Sequence, residues 1–331
     1  MKKAEDDSQL FSHLPRVLLY HQRLLRDEVR NRLFFEALQK HITSETRVLD
    51  IGAGSGVWAI TAAKLGAKKV VAIESDSAMI PVLVNHVREN GVADAVEIIH
   101  GLSQDVLSRH KFEVIISETI GNSAFEEHIA PIMIDARKRF LARGGVVIPQ
   151  KVALVAAPAF HETETTTALG VPFKSEYLRK LSLNLISRVI DKKHLRLLAD
   201  PQILHEEDLR IIEKMPTMAK MSAKWSLKNI AEANVLLIWA VSELADGIIL
   251  DNYETSSWSP VICRFDPLNV GKGELAFSLT ISQNDHQWTV SCPTNPEEPA
   301  QSYASVLAYE KIKTDLQSAP KLRKPRPEKY L

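Results

Sequence analysis

Residues 47–57, Arg-Val-Leu-Asp-Ile-Gly-Ala-Gly-Ser-Gly-Val, constrain the fold more than any other stretch of the chain. A short apolar run ending in Asp50 predicts a buried strand, and Trp58–Leu65 carry a helical pattern. Gly52, Gly54 and Gly56 join the two. A strand that feeds a helix through a glycine turn is the repeating unit of a parallel α/β sheet. The alternation continues: strand Lys69–Glu74, helix 77–90, strand 95–99, strand Val114–Ile116, helix 126–142 and strand Val146–Pro149. The expectation is an α/β domain that binds its ligand outside the carboxyl ends of the strands.

What stands at those ends limits the ligand. A dinucleotide fingerprint needs its third glycine where Val57 sits, so the loop does not predict a pyrophosphate cradle. It leaves a turn free of side-chain bulk, against which a ligand lies at a helix N-terminus. The second strand ends in Glu74, followed by Ser75, and an acid there accepts both hydroxyls of a ribose. The loop Gly101–Asp105, with Gln104, sits where an adenine edge is expected. After Val114–Ile116 comes Glu118, and nine residues later Glu127, with a fold-back expected at Gly121-Asn122. Two acids held together repel unless a cation lies between them. A guanidinium, with five donors in one plane, matches that pair.

Upstream, Val17–Leu38 predict one helix carrying His21, Asp27 and Arg30, and residues 1–12 are expected to fray. Taken alone, Asp27 and Arg30 read as a surface ion pair worth a few tenths of a kcal/mol. From residue 150 onward the runs are β-rich, which suits a β-sandwich or barrel, and a stripe from Leu178 to Val189 reads as helical. The end of the chain, Pro320–Tyr330, is basic and proline-rich and reads as a solvated tail. Lys plus Arg and Asp plus Glu both number 41, so no general attraction to nucleic acid or membrane is expected. Two cysteines without metal-like spacing and no apolar leader or span predict a cytoplasmic protein without a bound metal.

The first domain resembles the class I S-adenosylmethionine-dependent methyltransferases, and within them the protein arginine N-methyltransferases. Val48–Gly56 looks like the family's first motif, and Glu74 falls at its ribose-binding acid. Ser117-Glu118 through Glu127 is similar to its double-glutamate loop, at the same spacing. His21 and Leu25–Arg30 resemble the helix that closes over the cofactor, with Arg30 matching the arginine that holds the methionine carboxylate. Gly145–Pro149 resembles the crossing from the Rossmann-like domain to a β-barrel-like domain. The resemblance implies a cofactor-closing segment at 1–40, a binding domain at 41–149, a substrate domain at 150–320 and a tail at 321–331. It also implies a dimerisation arm near 178–210, a homodimer, and S-adenosylmethionine held by His21, Arg30, Asp50, Gly52, Gly54, Gly56, Glu74, Ser75, Gln104 and Glu118. Glu118 and Glu127 would be catalytic.

The chemistry agrees with that assignment. A sulfonium and a guanidinium repel, by several kcal/mol at about 4 Å and an effective dielectric near 20. Two carboxylates reverse the sign and aim a nitrogen at the methyl group for in-line transfer. No Asp/Asn-Pro-Pro-aromatic motif follows the strand, and no acid cluster for a metal clamp is present. The acceptor side departs from the family: Thr119, Ile120 and Glu126 replace its tryptophan, methionine and tyrosine. Its Thr-His-Trp loop aligns through Ser259-Pro260 with Ile262, Cys263 and Arg264, leaving Asp27 without its histidine, and Pro15 interrupts its N-terminal aromatic cluster. A protein or peptide arginine is the expected acceptor. Free arginine, another small molecule, or a lapsed cofactor-binding scaffold stay open.

Overall fold

The structure, a computed structural model, describes residues 2–107, 110–162, 175–189, 192–215, 220–282 and 285–318, with the backbone alone for 2–12. The basic tail therefore lies outside the described residues.

Five strands, β1 (Arg47–Ile51), β2 (Lys69–Glu74), β3 (Val96–His100), β4 (Phe112–Ile116) and β5 (Leu141–Ile148), form a parallel sheet in the order β3-β2-β1-β4-β5. Val48, Leu49, Val70, Ile115 and Ile116 are buried, as strands covered on both faces require. Helices α3 (Val57–Lys64), α4 (Ile80–Glu89) and α5 (Ile129–Phe140) connect them. The strand order reverses between β1 and β4, so the glycine loop and the double-glutamate loop open onto the same crevice.

The N-terminal segment is two helices, α1 (Lys2–Leu25) and α2 (Glu28–His41), where the periodicity predicted one. Asp27 has extended backbone angles and its side chain caps the Arg30 N–H at 3.1 Å, which starts a new helix there. Residues 2–12 continue α1 where fraying was expected.

At Gln150 the chain leaves the parallel sheet for two antiparallel ones. One takes β7 (Ser187–Arg188), β13 (Val261–Arg264), β11 (Val235–Glu243), β6 (Lys151–His161) and β8 (Leu195–Leu197) in that order. To these are added β9 (Gln202–Asp208) on β6 and β12 (Ile249–Asp251) on β11. The other orders β10 (Met221–Leu227), β14 (Gly273–Ile281), β15 (His286–Ser291) and β16 (Gln301–Ala304). On β11, Leu236, Ile238 and Ala240 join the main core while Val235, Leu237 and Trp239 pack on the other face. Burying each large side chain there contributes about 1.5–3 kcal/mol.

The helical stripe expected from Leu178 is short: α6 spans Glu176–Ser182 and buries none of its residues. The chain then pairs Ser187 and Arg188 with β13. A last helix, α7 (Ser305–Ser318), was missed within the run read as β-rich.

Candidate active site

The loops after β1, β2, β3 and β4 enclose a cavity of about 450 Å³, lined by Gly52, Ser75, Gln104, Thr119 and Glu127 among others. Gly52, Gly54 and Gly56 all have left-handed φ, at +73°, +54° and +82°. At Gly54 a side chain is excluded twice, since a Cβ there would also collide with Cε1 of His21. The loop without side-chain bulk thus accommodates α1, which lays His21 on it. His21 is half-buried near Arg30, and burial first, then that charge, lower its pKa to about 4. Farther along α1, His13 meets Asp76 at 2.7 Å.

Glu74 is 7% exposed and accepts the Gly54 N–H at 2.6 Å and the Asp76 N–H at 2.7 Å, one on each oxygen. Each oxygen keeps capacity for a further donor, such as a ligand hydroxyl. Asp50 stands apart from the cavity lining: it is fully buried and accepts the Ala59 N–H at 3.0 Å, which anchors the first turn of α3. Burial raises its pKa to about 7.

Arg30 and Asp27 are 2% and 1% exposed, which overturns the surface ion pair. The Arg30 guanidinium sits among three rings, 5.0 Å from Trp58, 5.6 Å from Trp258 and 5.7 Å from Phe34. Its Nη2 donates to Glu118 Oε2. Burial nevertheless raises the Glu118 pKa, with Arg30 opposing. Arg30 Nε and Glu118 Oε1 are buried without partners, and a ligand carboxylate and a ligand cation are the groups that would satisfy them. Glu127 is pushed up to about 7 by burial first and then by Glu118 and Glu126.

The loop between the glutamates folds back at Gly121-Asn122, as its composition predicts. Its staple is Glu126, whose carboxylate accepts the Asn122 N–H at 2.8 Å, the Ser123 N–H at 3.1 Å and the Ser123 hydroxyl. The antiparallel half pins the loop as well. Trp258 Nε1 donates to the Ile120 carbonyl at 3.1 Å, and the Ser259 N–H donates to Asn122 Oδ1 at 3.0 Å. The same turn supplies Asp27 with three donors on Oδ2: Ser256 N at 3.0 Å, Ser257 N at 2.7 Å and Ser257 Oγ at 2.6 Å.

That corrects the alignment through Ser259-Pro260. Ile262, Cys263 and Arg264 belong to β13, and the segment facing Asp27 is Ser256-Ser257-Trp258. Asp27 therefore has a partner, Ser257. Tyr20 was also overlooked. Burial, Glu118 and Glu127 together raise the pKa of its phenol, so α1 brings a phenol to the two acids despite Pro15. Its one sequence signal is its place next to His21. Among the described residues no group of His, Cys, Asp or Glu is arranged to hold a metal ion, and no helix is long and apolar enough to cross a membrane.

Residues 31–149 match the family model described as ribosomal protein L11 methyltransferase (PrmA). The chain is 36% identical over 157 residues to the ribosomal protein arginine N-methyltransferase rmt3 of Schizosaccharomyces pombe, covering 46% of this chain and 28% of that protein. It is 39% identical over 147 residues to protein arginine N-methyltransferase PRMT10 of Oryza sativa, covering 42% and 37%. The matched region thus spans about a third of the length of these curated relatives. In fold, the PRMT1 enzyme–prozyme heterotetrameric complex of Trypanosoma brucei, with AdoHcy, superposes with a TM-score of 0.73 at 18% identity, over 86% of this chain and 97% of that one. Arabidopsis thaliana protein arginine methyltransferase 10 gives 0.71 at 22% identity, over 87% and 99%. With a parallel sheet, two antiparallel sheets and the acid pair at the strand switch, the chain is similar to protein arginine N-methyltransferases, in sequence over somewhat less than half of its length and in fold over most of it.

Proposed function

We propose that the protein is an S-adenosylmethionine-dependent N-methyltransferase acting on a guanidinium nitrogen of an arginine in a protein or peptide. The observation that carries this reading is the unused hydrogen-bonding capacity of the acid pair. Glu118 is neutralised by Arg30 yet keeps Oε1 free, and Glu127 lines the cavity with no hydrogen bond or ion pair among the described residues. Such a pair accepts a planar cation.

The sulfonium of S-adenosylmethionine supplies the electrophilic methyl group. When it is bound, Glu74 would accept its hydroxyls, Ser75 and Gln104 would line its nucleoside side, and Arg30 would offer Nε to its carboxylate. His21 closes the glycine loop and excludes water. Glu118 and Glu127 accept hydrogen bonds from the acceptor guanidinium and concentrate electron density on the nitrogen turned toward the methyl group. Ionised Glu127 then receives the proton released as the nitrogen is alkylated. A homodimer using the exposed Tyr177, Leu178 and Leu185 and a cytoplasmic site of action, consistent with two free buried cysteines, complete the reading.

Methyl transfer from labelled S-adenosylmethionine to protein, peptide and free arginine tests it. Wild type should label a guanidinium nitrogen. Glu118→Gln and Glu127→Gln should each lose about 10²–10³-fold in kcat, with cofactor binding kept in Glu127→Gln. Label on another group, or activity unchanged in both variants, would sink the arginine assignment. Cofactor binding without any transfer would indicate a scaffold.

A further inference from the structure

One cation beside the loop that joins the two acids has no task in the chemistry above. Arg188 lies on β7, the edge strand paired with β13, and its side chain is 61% exposed. Its Nη2 stands 4.0 Å from Glu126 Oε1, too far for a hydrogen bond. Glu126 has no need of it, because three donors of the Asn122-Ser123 turn already occupy that carboxylate. Among the described residues, no hydrogen bond engages any of the five donors of Arg188. Its field reaches Glu127, where it opposes the other causes that raise that acid's pKa.

A cation there works against the acid pair. Arginine acceptors arrive as cations, and Arg188 repels a bare guanidinium that approaches Glu127. The repulsion turns into attraction when the acceptor brings an anion with it. A carboxylate suits a guanidinium best, because the planar fork binds both of its oxygens.

Building on the arginine reading, we infer that Arg188 is a specificity residue that binds a carboxylate carried by the acceptor close to its guanidinium. Two sources share this chemistry: the α-carboxylate of free arginine, and an acidic side chain beside the arginine in a peptide. Arg188 touches the acceptor away from the reacting nitrogen, so it acts on KM more than on kcat.

The test compares acceptors that differ in one carboxylate. Arginine is set against agmatine, its decarboxylated analogue, and an arginine peptide flanked by Asp is set against the same peptide flanked by Asn. Wild type, Arg188→Gln and Arg188→Lys are assayed for methyl transfer. Binding of each acceptor to the protein saturated with S-adenosylhomocysteine is measured in parallel. In at least one pair, wild type should favour the carboxylate-bearing member by about fivefold or more. The difference should lie in KM and in Kd. Arg188→Gln should bring that ratio to about one without weakening the carboxylate-free acceptor, and Arg188→Lys should restore part of it. The pair that discriminates names the source. Equal ratios in wild type and Arg188→Gln, or a wild-type preference for the carboxylate-free acceptors, would overturn the inference. If no acceptor is methylated, the arginine reading fails while the binding ratios still decide the role of Arg188.

Discussion

Asp27→Asn is the change whose consequences follow most directly from the geometry. The Asp27 carboxylate is 1% exposed and takes four donors: Arg30 N–H at 3.1 Å, Ser256 N–H at 3.0 Å, Ser257 N–H at 2.7 Å and Ser257 Oγ at 2.6 Å. An amide of the same shape offers one oxygen and one donor. With its oxygen on the serine turn it gives up the cap of α2, about 1 kcal/mol. The three bonds it keeps are then no longer charge-assisted, a loss of roughly 0.5–1 kcal/mol each. In the opposite orientation the cap survives, but two buried N–H groups face a donor, at about 1–3 kcal/mol each. Either way the variant should be less stable by about 3 kcal/mol. Urea unfolding monitored by tryptophan fluorescence measures this as a lower midpoint at unchanged slope. Ser257→Ala alone should cost about 1–2 kcal/mol. The double variant should fall short of the sum by about 1 kcal/mol, because the two residues share one network. Because Arg30 lies in the turn that this cap starts and holds Glu118, kcat should fall as well. A destabilisation below about 0.5 kcal/mol, or strict additivity with Ser257→Ala, would refute the view that this turn fixes the start of α2.

Three further outcomes are expected. Burial pushes the Glu127 carboxyl up to about 7 in the folded protein, from an ordinary value of 4.5, so its ionisation opposes folding. Stability should decline as pH rises from about 4.5 to 7, and Glu127→Gln should flatten that decline in thermal melts, while methyl transfer by wild type rises across pH 7. His21 is held neutral down to about pH 4, against an ordinary value of 6.5, so the unfolded or undocked state binds the extra proton. Docking of α1 should weaken as pH falls below 6.5, which hydrogen exchange or proteolysis of residues 13–25 detects, and His21→Gln should remove the dependence. Trp258→Phe keeps a ring beside Arg30 but leaves the Ile120 carbonyl without its N–H. It should cost about 1–2 kcal/mol and lower kcat more than it weakens cofactor binding; equal effects on both would argue against a role in placing the double-glutamate loop.

The sequence by itself determined the parallel α/β half, because that information is local. Apolar runs of strand length, glycines at three positive-φ positions and acids at strand ends each report on their own few residues. It likewise brought Glu118 and Glu127 into one loop, since only nine residues separate them. Tertiary structure alone decided what surrounds that loop. Asp27 and Arg30 look like a surface pair until a turn some 230 residues away covers one and three aromatic rings enclose the other. Ser257 has no signature as a partner, because a hydroxyl near an arbitrary carboxylate is common in any sequence. The same holds for Tyr20, carried to the acids by a helix whose docking depends on the bare face of Gly54. Spacing along the chain encodes hydrogen bonds within a turn or a strand. Burial and charge compensation arise between segments, and they exist only once the two halves have packed.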